Sequence, residues 1–313
     1  GSHLVLDGLL ITGRGVRVSQ TVREAKPQPA KPVKRQSANL QATISQTQPA
    51  ALSDEQRKEH AYLTLRHCTL VPGWGLESNC DPRRPAEPSL ELTNLHGKVE
   101  IERTILGSIQ LNHDEVQTEP VPIEIRDSLL DATSPQLEAI GAPGCPVAHT
   151  TLRILRTTVF GKVHAHAIEL AENSIFEGKI TVARSQIGCM RFCTYLKGSR
   201  TPRCFRCQPD LAIAAAEQAI TTSGETISAE ALAEALQREE DRVRPRFSST
   251  RYGTPAYGQL SLYCPLEITR GADDESEMGV FHHLFQPQRA ANLKARLNEF
   301  TPSGMSAAIL YAN

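Results

Sequence analysis

The chain has 313 residues, and its 34 lysines and arginines against 35 aspartates and glutamates leave a formal net charge of −1. No global basic field exists to hold nucleic acid or anionic lipid. No apolar run approaches the roughly 20 residues that span a bilayer, so neither a nucleic-acid partner nor membrane insertion is expected.

Gly1-Ser2-His3 reads as a tag remnant (1–3), and a strand phrase, Leu4-Val5-Leu6, follows at once. The expectation is a segment that starts inside a longer protein. A glycine turn at Gly13 and Gly15 leads to a second strand at Val16–Val18. From 19 to 59 the chain is rich in Gln, Ala, Pro, Lys and Ser. Such composition buries too little apolar surface to offset its ordering entropy, and a disordered insertion is expected. Its basic run, Lys26 to Arg35, reads either as a solvated loop or as a contact for an acidic partner.

A short phrase then recurs. Leu63–Val71 (LTLRHCTLV), Leu152–Phe160 (LRILRTTVF) and Ile168–Phe176 (IELAENSIF) share one layout, and Val99–Leu106 and Ile123–Leu130 are one residue shorter. Each is an alternating strand, a polar corner and a second apolar pair. No copy can bury its apolar face alone, so stacking is expected. The fold class expected is mainly β: a right-handed parallel β-helix, a single-stranded solenoid over 4–187. Gly161 and Gly178 are read as equivalent corners in left-handed conformation.

After the strands comes a cysteine-rich loop at 188–208, then a helical and irregular cap at 209–313. Asp210–Ala219 and Ser228–Asp241 are strong helix formers. Gly279–Phe300 reads as one or two helices broken at Gln286-Pro287, and Ala307–Tyr311 as a closing strand.

Four of the eight cysteines, Cys189, Cys193, Cys204 and Cys207, crowd into one stretch. Four thiolates could wrap one tetrahedral structural zinc. Disulfides or free thiols remain alternatives. The acidic run Asp273, Asp274, Glu275 and Glu277 could hold calcium, or could simply match the dipole of a following helix. His164 and His166 alternate on one strand and should face one side, as a solvated face or a metal pair. Of His282 and His283, only one can point inward. Glu100, Glu124 and Glu169 should stack on one outer face with Thr64 and Arg153, and Glu102 and Asp127 are further carboxylates. Enzymes on related scaffolds cleave acidic glycans with such groups, but the mixed column reads more as a solvated face.

Seven motifs carry a resemblance: Leu65–Gly73 (LRHCTLVPG), Gly188–Phe192 (GCMRF), Gly198–Pro202 (GSRTP), Arg206–Asp210 (RCQPD), Gly271–Gly279 (GADDESEMG), Leu284–Arg289 (LFQPQR) and Asn292–Leu297 (NLKARL). In these the chain resembles bacterial proteins encoded beside phage-tail-like particles, the extracellular contractile injection systems. The resemblance implies the C-terminal part of a larger protein, and it implies no catalytic activity. It places Cys189 and Cys207 within motifs and leaves Cys193 and Cys204 variable, so a Cys189–Cys207 disulfide rivals the zinc site. The function expected is a structural or binding module of such a particle: a fibre, spike accessory or adhesin. Its partners would be baseplate or tail proteins or a cell-surface glycan, with assembly in the bacterial cytoplasm. A polysaccharide lyase or hydrolase is the alternative, and a carried effector a third.

Overall fold

Short strands with alternating apolar residues bury one face only by pairing in register with their neighbours. In the computed structural model, which describes residues 2–19, 61–112, 119–223 and 228–308, they do so throughout. The first strands are β1 (His3–Asp7), β2 (Leu10–Ile11), β3 (Val16–Ser19), β4 (Ala61–Arg66), β5 (Thr69–Leu70), β6 (Leu90–Thr93), β7 (Gly97–Glu102), β8 (Ile105–Leu106) and β9 (Ile109–Asn112). They continue as β10 (Val121–Arg126), β11 (Leu129–Asp131), β12 (Glu138–Gly141), β13 (Ala148–Leu155), β14 (Thr158–Phe160), β15 (Lys162–Glu172), β16 (Ile175–Phe176), β17 (Ile180–Val182), β18 (Cys189–Arg191) and β19 (Arg203–Phe205). Of the insertion expected at 19–59, Ser19 ends β3 and the rest, with the basic run, lies outside the described residues, as do residues 309–311 of the expected closing strand.

Among the described residues every pairing between these named strands is parallel, and the sheets they build correct the expected fold class. A single-stranded, right-handed β-helix was expected. The strands instead form one 13-stranded sheet, along the path β1-β4-β7-β10-β13-β15-β12-β9-β6-β3 with β17, β18 and β19 attached, and a second sheet of six, β16-β14-β11-β8-β5-β2. The large sheet is continuous because β15 serves two series. Its N-terminal half pairs with β12 and β17, and its C-terminal half with β13 and β18. The sequence KVHAHAIELAE has no glycine, proline or polar corner to break it. Helices follow the strands, so the architecture is two parallel sheets with helices.

Register stacks like on like. One column runs Leu6, Leu65, Ile101, Ile125, Ile154, Ala171, Met190 and Cys204. These inward residues meet Leu70, Leu106, Leu130, Val159 and Phe176 of the small sheet in one core. Burying each large side chain of this kind stabilises by roughly 1.5–3 kcal/mol.

The polar corners are as regular as the strands. Gly8, His67, Arg103, Asp127, Arg156, Asn173, Phe192 and Arg206 all have positive φ. Only glycine enters that region without steric cost, and Asn and Asp tolerate it best among the others. Except after Gly8, where Leu9 stands, the next residue is Thr, Ser or Cys. Thr104, Ser128, Thr157 and Ser174 each donate a hydroxyl to the carbonyl two residues back, at 2.9, 2.6, 2.9 and 2.7 Å. Ser128 Oγ also accepts from the Thr104 N–H, and Ser174 Oγ from the Thr157 N–H, both at 3.1 Å. The ladder satisfies buried polar groups that would otherwise be orphaned.

The strand stack runs on beyond Val182. Residues 188–208, expected as a loop, contain β18 and β19, which are further copies of the phrase. Gly161 has the expected left-handed backbone, at φ +116°, but Gly178 does not; a Cβ there would strike the Gly161 carbonyl, so close stacking selects glycine.

Helices α1 (Asp210–Ser223) and α2 (Ala229–Arg242) follow. Ser228 caps α2, its Oγ accepting from the Ala231 N–H at 3.2 Å. After α3 (Leu266–Thr269) comes α4 (Gln286–Phe300), where Pro287 starts the helix rather than breaking it. Between α2 and α4 the chain crosses the outer face of the small sheet. Tyr257 and Val280 pack on Leu129 and Phe160, and Cys264, Ile268 and Met278 on Ile175. The small sheet is thus apolar on both faces, which is why β11, β14 and β16 are buried at every position.

Candidate functional site

The outer face of the large sheet carries the expected column. Thr64, Glu100, Glu124 and Arg153 are aligned by register, and a shift between Leu152 and Arg153 leaves Glu169 beside it. Lys98 Nζ bridges Glu100 Oε1 and Glu124 Oε2, both at 2.8 Å, and Arg126 Nε reaches Glu124 Oε1 at 2.7 Å. Arg153 holds Glu169 at 2.9 Å, and Arg66 sits 3.4 Å from Glu102. Burial pushes the Glu124 carboxyl up, but the Lys98 and Arg126 hydrogen bonds outweigh it and hold it below the usual range. A general acid needs the opposite shift. Asp127 lies apart, at a corner.

Cys207 lies within hydrogen-bonding reach of both Cys193 and Cys204, while Cys189 stands apart from these three. Register sets Met190 opposite Cys204 and Cys189 opposite Arg203, so strand alternation puts Cys204 on the inner side and Cys189 on the outer. Cys193 and Cys207 occupy the corner ladder instead, donating to the Arg191 and Phe205 carbonyls at 3.2 and 3.5 Å. Cys68 does the same with Arg66 at 3.0 Å. Hydrogen bonding to Cys193 comes first among the effects that push the Cys207 thiol up to about 12. All eight cysteines are free thiols, including the suspected Cys189–Cys207 pair. This alternation removes Cys189 from the four-thiol set that the spacing suggested for zinc. The overlooked signal was that Cys68, Cys193 and Cys207 stand where other copies have Thr or Ser.

His164 and His166 do share one side of β15, with buried Ala165 between them. His164 Nδ1 lies 3.3 Å from Glu138, and the His166 ring meets that of His149 edge-on at 5.4 Å.

The acidic run precedes no helix directly; it forms a loop docked on the strand corners. At Asp127 a two-pronged pair with Arg156 (2.6 and 2.9 Å) fixes the corner. At Asn173, two corners along, Oδ1 accepts from the Asp273 N–H at 3.1 Å and Nδ2 donates to Asp273 Oδ1 at 2.7 Å. The Asn173 carbonyl accepts from the Gly279 N–H at 2.8 Å, and Thr158 Oγ1 from the Val280 N–H at 3.1 Å. His282 is buried and His283 exposed, as one of the two had to be. His282 Nε2 lies 3.4 Å from Asp274 Oδ1 and 3.4 Å from Asn173 Nδ2. Burial pulls the His282 imidazole below its ordinary value. One ligand atom each from Asp273, Asp274 and His282 falls within 4.8 Å of the others.

Two buried carboxylates secure the same segment. The Tyr257 hydroxyl donates to Asp131 Oδ2 at 2.6 Å. Glu277 lies under the loop, and burial pushes its carboxyl up to about 7. Neither Asn173 nor Asp131 stood out in the sequence, because their partners lie 100 and 126 positions away.

Among the described residues no helix is long and apolar enough to cross a membrane. The chain matches no protein-family model, no curated protein and no solved structure.

Proposed function

We propose that the chain is a structural and binding module of a phage-tail-like injection particle, joined to its partners through strand edges. One observation carries this reading. At one end of the stack β1, β2 and β3 each pair on one side only. Beside these edges Leu4, Val5, Leu9 and Leu10 are 45%, 49%, 44% and 68% exposed. Unpaired strand edges flanked by apolar side chains are templates for a partner's strands. The occupant that fits is a parallel strand phrase of a neighbouring particle protein, with small apolar residues set against Leu4 and Leu10.

The outer carboxylates favour this reading over a glycan-cleaving enzyme. Acid–base cleavage needs one protonated carboxyl and one free carboxylate, roughly 5–10 Å apart. Glu100, Glu124 and Glu169 are each held by Lys98, Arg126 or Arg153.

The test is capture of baseplate and tail proteins by the chain. The wild type is expected to retain them, and Val5→Asp with Leu10→Asp to lose them while keeping the native circular dichroism. Depolymerisation of acidic glycans, abolished in Glu124→Gln, would install the enzyme in its place.

A further inference from the structure

The loop from Ala272 to His282 brings two carboxylates and an imidazole together, with one ligand atom of each within 4.8 Å of the others. We propose that Asp273, Asp274 and His282 bind one divalent transition-metal cation, which fastens this loop to the strand corner at Asn173.

The case starts from His282. Its side chain is 8% exposed, and its Nδ1 is buried without a hydrogen-bond partner. The other nitrogen, Nε2, points into the cluster, 3.4 Å from Asp274 Oδ1. The Asn173 amide cannot turn to suit it, because its Oδ1 is engaged by the Asp273 N–H. The Asn173 NH2 therefore faces Nε2, at the long distance of 3.4 Å. In the tautomer with the proton on Nδ1, Asn173 Nδ2 can donate to Nε2 and the remaining approach to the Nε2 lone pair is from the side of the two carboxylates.

The geometry suits a small cation. Atoms bound at about 2.0–2.2 Å from one ion stand roughly 3–3.5 Å from each other. The Nε2 to Asp274 separation of 3.4 Å falls in that range. Asp273 and Asp274 are exposed, so solvent can fill the remaining positions. One imidazole with two carboxylates selects manganese- or cobalt-like ions, whereas calcium takes oxygen ligands alone. Asn173 acts behind the ligands, holding Asp273 at 2.7 Å. The nearby Arg156 guanidinium is engaged by Asp127. The loop's turn is set by its own backbone: the Ala272 N–H donates to the Ser276 carbonyl at 3.1 Å and the Ser276 N–H to Asp274 Oδ1 at 3.0 Å.

The test uses the full chain, stripped with a chelator and desalted. Titration with Co2+, read by its visible absorption, and with Mn2+, read by calorimetry, should show one site per chain. His283→Gln should keep that site. His282→Gln and Asp274→Asn should each weaken it at least tenfold. Asp274 is exposed, so Asp274→Asn keeps the test open if the His282 variant unfolds. The wild type should also gain several degrees in Tm with Mn2+, and Asp274→Asn none. Binding below a tenth of an equivalent, equal affinity in Asp274→Asn and wild type, or a site filled by Ca2+ but not Co2+ or Mn2+ would each overturn the proposal.

Discussion

The two sheets share one core but treat their outer faces in opposite ways. The large sheet turns Lys98, Glu100, Glu124, Arg126 and Arg153 outward in a ladder of ion pairs. The small sheet turns Leu129, Phe160 and Ile175 outward and covers them with the segment between α2 and α4. Exposed ion pairs contribute little, about 0–1 kcal/mol each. A covered apolar face contributes far more, and any polar group trapped beneath it must find a partner. The stability of the C-terminal segment should therefore rest on a few buried contacts, and that of the ladder mainly on Glu124, its one carboxylate at 5% exposure, with little from the exposed pairs around it.

The largest effect is expected at Gly279. Its φ is +93°, and a side chain there would meet Thr158 Oγ1 and Ile175 Cδ1. Gly279→Val should cost several kcal/mol and free the covering segment, seen as new proteolytic cuts between 245 and 285. The pH response should be nearly as large. Unfolded glutamate ionises near 4.5, whereas burial keeps Glu277 protonated to about 7. Its contribution is complete below pH 4.5 and declines as pH rises to 7, by at most about 3 kcal/mol. Glu177 is raised in the same sense by burial. On the ladder the sign reverses: Glu124 is lowered, so its contribution is lost as pH falls. Glu277→Gln should flatten the decline between pH 4.5 and 7 in denaturant titrations. Next comes Tyr257→Phe, which strips a hydrogen bond from buried Asp131 and should cost about 1–3 kcal/mol. Glu100→Gln, on the exposed ladder, should change the unfolding free energy from urea titration by under about 0.5 kcal/mol. A larger loss there than at Tyr257 would reverse the comparison.

The repeated phrase was legible because it is local. Alternation fixed which residues of β4, β7, β10 and β13 face inward, and the Thr64-Glu100-Glu124 alignment followed from it. Ser228 announced the start of α2. The joining of two strand series through β15 was hidden, since neither half of Lys162–Glu172 looks different from an ordinary strand. The candidate metal site was half legible. Asp273, Asp274 and His282 stood out by residue type, but Asn173, which arranges them, lies about 100 residues upstream. The cysteine spacing misled because a thiol can take the place of a hydroxyl in the corner ladder. Strand alternation, which separates Cys189 from Cys204, acts on the chain only after it has folded.

Those ladder thiols give the molecule markers of its own opening. Cys68 sits near one end of the stack, and Cys193 and Cys207 near the other, each under 3% exposed. An alkylating reagent can reach them only when the rung around them parts, so their labelling rates time the fraying of the two ends separately. Exposed Cys145 supplies the internal reference. If a partner's strands add to the edges of β1, β2 and β3, labelling at Cys68 should slow while that at Cys193 and Cys207 stays the same. Assembly would then be readable from inside the protein, without a probe attached to its surface.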